Sequence, residues 1–287
     1  MKIGILVDSS TGLEPSKLTN TNIEVIPLHI IINSENDILD VKEQREKNKI
    51  YEQIQNGVNV TTSQASPGEL IVKYEEMLMK YDHIIHLPIP SNLSGMAQTA
   101  VMVSKDEEFL GKVTVVNHFL AANLLGRLVF QLNEMTKNEN LTIEQYLEKI
   151  DDWSKKSVIY LIPSDLKKLA KGGRAQSLLL SVLKLLKQKI AIQWGEKPKK
   201  VAMGRTIASI IDKLLDNINT NFSKEIKLIF VHTEIISNKF LTQIKEKLEL
   251  IKIDYDDEII PTPFPCHSGL DTIGFLIYEK SLQNKND

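Results

Sequence analysis

Hydroxyl-bearing side chains are concentrated in residues 61–69, TTSQASPGE, immediately before a helix start. Ser66 suits the N-cap position, Pro67 suits the first helical position because proline has no amide hydrogen to leave unpaired, and Glu69 completes a capping box. The spacing therefore predicts a helix that begins at Pro67. Hydroxyls and helix amides gathered at one point suit an anionic ligand. The alternative is a plain loop followed by a helix cap.

Three other segments predicted at strand ends are also richer in Ser, Thr, Gly and His than turns require. They are residues 8–12 (DSSTG), 91–95 (SNLSG) and 266–269 (CHSG). In open α/β sheets, ligands bind outside the carboxyl ends of the strands. The segments therefore predict a ligand site. An enzyme with Ser94 as nucleophile and His267 as base, a hydrolase or transferase of acyl groups, is the alternative, although Ser94 lacks the glycine that precedes a serine-hydrolase nucleophile.

The histidines do not form a metal-binding pattern. His83 and His86 are three residues apart on a predicted strand, so they point to opposite faces. We predict that these two, together with His29, His118 and His232, are packing residues. The single cysteine, Cys266, excludes an internal disulfide framework and any multi-cysteine metal site. No metal and no cofactor are predicted.

The segment 166–174, LKKLAKGGR, places lysines and two glycines at a predicted helix end. This is the composition of an ordinary C-terminal cap. The functional alternative is that the glycines expose Arg174, whose planar guanidinium suits a phosphate or an acidic partner.

The composition describes an ordinary globular chain. It has 287 residues, 42% hydrophobic and 25% charged, with a formal net charge of -2. Because the lysines are scattered among glutamates, no basic face for nucleic acid is predicted. No uncharged apolar stretch reaches the roughly 18 residues of a membrane span. With its single cysteine, the chain is predicted to be cytoplasmic.

Short apolar strands alternate with amphipathic helices along the whole chain, which predicts an α/β fold. The polar end of the helix at 142–156 is taken as the boundary between an N-terminal α/β domain, 1–155, and a C-terminal α/β domain, 156–287. Strands are predicted at 2–7, 23–32, 83–87, 113–116, 158–162, 189–194, 199–203, 226–231 and 258–260. Further helices are predicted at 176–186, 206–220, 238–248 and 272–281.

Taken together, five segments resemble the DegV family of bacterial fatty-acid-binding proteins, in the family's order and over nearly the whole chain. They are residues 8–10 (DSS), 62–68 (TSQASPG), 91–95 (SNLSG), 169–174 (LAKGGR) and 267–269 (HSG). The chain departs from the family at Cys266, where threonine is usual, and at Asn117 and His118, where an Asp-Ser pair is common.

The resemblance implies two α/β domains with a ligand tunnel between them. It implies that the tunnel holds one long-chain fatty acid, whose carboxylate a separate ATP-dependent fatty acid kinase subunit phosphorylates to an acyl phosphate for phospholipid metabolism. The chain itself would then be a non-catalytic binding subunit, with transient contact to a membrane surface possible. A regulatory or scaffolding module whose ligand only stabilises the fold is a third alternative.

The resemblance also assigns residues by position. Thr62, Ser94 and His267 would contact the carboxylate. The residues expected beside them are Ser63, Gly95 and Cys266. Arg174 would face the kinase or the transferred phosphate.

Overall fold

The computed structural model describes residues 1–138, 140–172, 188–221, 225–250 and 252–283. The chain divides into two compact units, an N-terminal unit of Met1–Lys155 with Pro261–Pro263 and a C-terminal unit of Lys156–Ile260 with Phe264–Asp287. Both combine sheets with helices, so the predicted α/β class is confirmed. Among the described residues, no helix is long and apolar enough to cross a membrane.

The N-terminal unit is built on two sheets. Its strands are β1 (Ile3–Asp8), β2 (Ile23–Ile26), β3 (His29–Ile32), β4 (Asn36–Leu39), β5 (Val60–Ser63), β6 (His83–Leu87) and β7 (Val113–Val115). A parallel sheet has the order β2-β1-β6-β7, and a small antiparallel sheet has the order β4-β3-β5. Every residue of β1 and β6 is buried, which explains why neither strand alternates regularly between apolar and polar residues.

Two predictions of local structure in this unit are wrong. Residues 23–32 were expected to form one strand, but β2 and β3 are separate and belong to different sheets. Pro27 lies between them and lacks the amide hydrogen that a continuous ladder needs. Residues 61–63 were expected to be a loop, but they belong to β5, where the β-branched Thr61 and Thr62 suit a strand.

Helices pack around these sheets. They are α1 (Lys42–Lys47), α2 (Ile50–Gln55), α3 (Pro67–Leu78), α4 (Met96–Val103), α5 (Ala122–Met135) and α6 (Ile143–Lys155). The predicted start of α3 is confirmed, since Ser66 is the N-cap and its capping box with Glu69 is complete. Leu70, Tyr74 and Met77 are fully buried, so this apolar stripe anchors the helix.

The C-terminal unit contains one mixed sheet with the order β10-β9-β8-β13-β11-β12. Its strands are β8 (Ser157–Ile162), β9 (Lys189–Trp194), β10 (Lys199–Gly204), β11 (Ile226–His232), β12 (Tyr255–Ile259) and β13 (Ile273–Glu279). The predicted hairpin is confirmed by the antiparallel pairing of β9 with β10. The helix predicted at 272–281 is wrong, because these residues form the central strand β13. Ile273, Phe275 and Ile277 are fully buried, and their β-branched or aromatic side chains favour a strand.

The described helices of this unit are α7 (Leu166–Lys171), α8 (Ile207–Asn221), α9 (Asn238–Leu250) and α10 (Pro263–Ser268). The helix predicted at 176–186 lies outside the described residues.

Candidate ligand-binding site

Strand β5 carries the first two predicted site residues. Thr62 pairs with Ile30 of β3, and Ser63 pairs with His29. Successive side chains of a strand point to opposite faces, so β5 separates the two hydroxyl groups that the sequence places side by side. Thr62 is half-buried and Ser63 is exposed. Of the two, Thr62 is better placed to face a ligand that is itself shielded from water.

The hydroxyl of Ser66 serves the helix. Ser66 Oγ accepts a hydrogen bond from the amide of Glu69 at 3.3 Å, and the Glu69 carboxylate accepts from the Ser66 amide at 2.7 Å. These contacts satisfy amides at the helix entrance. The alternative of a structural cap therefore holds for Ser66 and Glu69.

A tight loop before α4 supplies Ser94 and Gly95. The amides of Leu93 and Ser94 both donate to the carbonyl of Pro90, at 2.8 and 3.1 Å. Ser94 Oγ accepts from the amide of Met96 at 3.2 Å, and Gly95 is the N-cap residue of α4. The hydroxyl is therefore held at the helix entrance, and its own proton can still be donated to a ligand.

Gln64 joins these two segments. Its Nε2 donates to Oγ1 of Thr99 in α4 at 2.5 Å. A Cβ atom on Gly95 would lie only 2.5 Å from Oε1 of Gln64, so the carboxamide rests against the glycine. The structure therefore brings the end of β5 and the start of α4 together within one unit. Gln64 was not singled out from the sequence, and its place beside Thr62 in the family signature was the available signal.

Asp8 holds the loop that leads to Ser94. Its carboxylate is fully buried and accepts from the amide of Ser10 at 3.0 Å and from the amide of Ile89 at 2.6 Å. Burial raises the pKa of Asp8, and these hydrogen bonds oppose the rise. Because Ile89 precedes Pro90, which anchors the amide of Ser94, the Asp8 carboxylate fixes the start of that loop.

Two of the hydroxyls in segment 8–12, those of Ser9 and Thr11, are committed to the fold. Ser9 Oγ donates to the Asp40 carboxylate at 2.7 Å and accepts from the Leu28 amide at 3.0 Å. Thr11 Oγ1 donates to the Asp8 carbonyl at 2.9 Å. Burial raises the pKa of Asp40, although the neighbouring charge of Arg45 opposes this. For Ser9 and Thr11 the structure thus gives a cross-linking role inside the unit.

Four of the five histidines predicted to be packing residues fall into two groups, and the fifth, His83, is buried with its Nε2 2.8 Å from the Thr114 hydroxyl. His86 is fully buried, and its Nδ1 lies 2.7 Å from the Tyr74 hydroxyl. Burial lowers the pKa of His86 to about 3 and that of His118 to about 4, so both are neutral packing residues, as predicted. His29 and His232 depart from that prediction because each contacts carboxylates, His29 those of Asp37 and Glu69 and His232 that of Asp257.

The remaining predicted residues belong to the C-terminal end of the chain. Cys266 and His267 lie in α10, a short helix rather than the expected loop, and both are buried. Gly269 ends this helix with φ +92, and a Cβ there would collide with Ser164 Oγ, so glycine is required. Arg174 lies outside the described residues. No group of three or more His, Cys, Asp or Glu side chains in the described ranges is arranged to hold a metal ion.

Comparison with known proteins identifies the fold and the family. The protein-family model described as "Uncharacterised protein, DegV family" matches residues 2–280. The fatty acid-binding protein of Thermotoga maritima is 30% identical over 295 residues, which cover 96% of this chain and 98% of that protein.

Two solved structures are also similar to this chain. A Thermotoga maritima protein described as revealing a fatty acid binding function has a TM-score of 0.76 and 27% identity, covering 97% of this chain and 99% of its own. A DegV family protein from Thermus thermophilus, described by its fatty acid binding, has a TM-score of 0.83 at 23% identity and covers 97% and 100%. The second likeness supports the fold alone. Since the family model spans nearly the whole chain, this chain belongs to the DegV family.

Proposed function

We propose that this protein binds one long-chain fatty acid and presents its carboxylate to a separate ATP-dependent kinase subunit that forms the acyl phosphate. Support for the ligand comes from the relatives that are named or described as fatty-acid-binding. The observation that carries the proposal is the packing of Gln64 against Gly95, which brings the Thr62 strand and the Ser94 loop together.

The hydroxyls of Thr62 and Ser94 suit a carboxylate head group. A buried carboxylate must fill about four lone-pair sites, and hydroxyl donors can fill them. Hydroxyls leave a carboxylate oxygen able to act as a nucleophile, whereas a close arginine would hold it in a strong ion pair. His267, with Cys266 beside it, is proposed as a further ligand contact on the family resemblance.

The acyl chain would supply most of the affinity. Burying about fifteen methylenes at roughly 0.8 kcal/mol each gives on the order of 12 kcal/mol before the loss of freedom on binding is subtracted. Removing one head-group contact should therefore weaken binding without abolishing it, and removing both should weaken it further.

Hydroxyl-deleting variants test the proposal. Thr62→Val keeps the β-branched shape that β5 favours, and Ser94→Ala removes only an oxygen. Each should weaken binding of a fluorescent long-chain fatty acid by about tenfold, the loss of one charge-assisted hydrogen bond. Ser104→Ala, at the half-buried C-cap of α4, is the matched control and should bind as the native chain does. Equal affinity in all four proteins would refute the assignment of these hydroxyls.

The kinase step has its own test. A fatty acid kinase subunit with ATP should convert the bound acid to acyl phosphate, and the binding-impaired variants should slow this conversion. Binding without phosphorylation would favour a regulatory module. Turnover of acyl esters that Ser94→Ala abolishes would favour the hydrolase alternative.

A further inference from the structure

His29 of β3 stands between carboxylates from two other elements. Its Nδ1 lies 2.7 Å from Oδ1 of Asp37 in β4, and its Nε2 lies 3.0 and 3.2 Å from the two carboxylate oxygens of Glu69 in α3. An ionised carboxylate accepts hydrogen bonds and cannot donate one. Both contacts are therefore hydrogen bonds at the same time only when both ring nitrogens of His29 carry a proton.

The surroundings of His29 favour that protonated form. Burial lowers the pKa of His29, but the hydrogen bonds and negative charges of Asp37 and Glu69 outweigh burial, so the net shift is upward from the ordinary value. These two carboxylates are the titratable groups that face the ring from β4 and α3. The proton of His29 is therefore lost at a higher pH than that of an ordinary histidine.

The contact reaches the candidate ligand site through its neighbours. Glu69 accepts hydrogen bonds from both the amide and the hydroxyl of Ser66, each at 2.7 Å, while His29 is paired with Ser63 across the β3–β5 ladder. The imidazolium thus ties the start of α3 to the strand pair that carries Thr62. Between these two points the chain contains Gln64, the residue that rests against Gly95.

We propose that protonated His29 is a positioning residue for residues 62–66, and that loss of its proton speeds the release of a bound fatty acid. This inference rests on the proposed function. Without the second proton, one of the two carboxylate contacts becomes a repulsion between lone pairs, and where this is the Glu69 contact, the hydrogen bond between β3 and the first turn of α3 is lost. The segment that holds Thr62 and Gln64 then loses one of its two fixed ends.

The dissociation rate of a fluorescent long-chain fatty acid, measured from about pH 6 to about pH 8.5, tests the proposal. In the native chain the rate should rise with pH by about threefold to tenfold, the effect expected when one hydrogen bond that holds the segment is lost. His29→Gln should release the probe quickly at every pH. His83→Gln is the matched control, since His83 is also a strand histidine of this unit bonded to a threonine hydroxyl, and it should keep the native profile.

Asp37→Asn sharpens the test. It removes one of the two charges that raise the pKa of His29, so the midpoint of the pH profile should move to lower pH while the profile persists. A native-like profile in His29→Gln, or an unmoved midpoint in Asp37→Asn, would overturn the inference.

A second measurement keeps the two proposals distinguishable. If the native chain binds no probe at any pH, the proposed function fails, and amide exchange then decides the positioning claim. Protection factors at Ser63 to Glu69 should fall as pH rises in the native chain and be constantly low in His29→Gln. Identical protection in the two proteins would refute the role of His29.

Discussion

Two histidines of the N-terminal unit lie in opposite electrostatic environments. His86 belongs to the central parallel sheet and is fully buried against Tyr74, and burial lowers its pKa to about 3. His29 belongs to the small antiparallel sheet, where Asp37 and Glu69 overcome the effect of burial and raise its pKa. The core of the unit therefore favours a neutral imidazole, whereas the sheet that carries Thr62 favours the protonated form of its histidine. We therefore expect the unit to lose core stability as the pH falls and to loosen at the contact between β3 and α3 when His29 loses its proton.

Lowering the pH should produce the largest change in the free energy of unfolding. In the unfolded chain His86 and His118 take up protons near pH 6.5, whereas in the folded chain they resist protonation down to about pH 3 and pH 4. Because the unfolded state binds more protons, the free energy of unfolding should fall by about 1.4 kcal/mol per pH unit for each histidine as pH drops below 6.5.

Urea unfolding of the N-terminal unit, followed by Trp153 fluorescence in a Trp194→Phe background, checks this slope. His86→Gln should remove about half of it. The same dependence of the free energy of unfolding on pH in the native chain and in His86→Gln, from about pH 6.5 to about pH 4.5, would show that His86 is not held neutral.

The Tyr74 hydroxyl should give the next largest effect, because it is the partner of His86 Nδ1. Tyr74→Phe leaves a buried nitrogen without that partner and should cost about 1–3 kcal/mol. Tyr51→Phe is the control, since the Tyr51 hydroxyl makes a longer, part-buried contact of 3.3 Å with Thr262, and it should cost less. Equal losses in the free energy of unfolding, measured with urea, would show that the Tyr74–His86 hydrogen bond stabilises the unit no more than the Tyr51 contact does.

The cap of α3 should matter less than the core. Ser66→Ala removes the side-chain oxygen that the Glu69 amide donates to and should lower the free energy of unfolding by about 1 kcal/mol. Ser104→Ala, at the far end of α4, should change it far less. Since Glu69 also faces His29, the Ser66 variant should in addition lower the pH at which His29 loses its proton, which an NMR titration would detect. An unchanged titration of His29 would show that the Ser66 cap does not influence the protonation of His29.

Gly95→Ala should have the smallest effect on stability. Its Cβ would meet only the end of a flexible side chain, Gln64 Oε1, which can rotate away. The rotation breaks the contact with Thr99, so affinity for a fatty acid should fall more than stability does. Matched losses of both would mean that Gln64 supports the fold rather than the site.

The sequence predicts an element correctly where the residues that specify it lie close together along the chain. The start of α3 was predictable because the N-cap, the proline and the glutamate lie within four residues. The buried strand β13 was read as a helix because a short apolar run carries no period that distinguishes the two. Strand β5 was missed because its pairing with β3 is decided by residues about thirty positions away.

The residues of the candidate site also differ in whether nearby or distant parts of the sequence determine their contacts. Thr62 and Ser94 were identifiable from motifs, but the packing of Gln64 against Gly95 depends on a contact between distant segments. The charge on His29 depends on Asp37 and Glu69, which belong to two other elements. Neither relationship has a signature in the local sequence.

The proposed function requires that the chain carries a bound fatty acid. The most direct measurement is organic extraction of the purified native protein, followed by mass spectrometry of the lipid and quantification against protein. The account predicts about one long-chain fatty acid per chain and a marked loss in the Thr62→Val, Ser94→Ala double variant, with Ser104→Ala unchanged. A native protein that contains no fatty acid, and takes up none when it is supplied, would contradict the account.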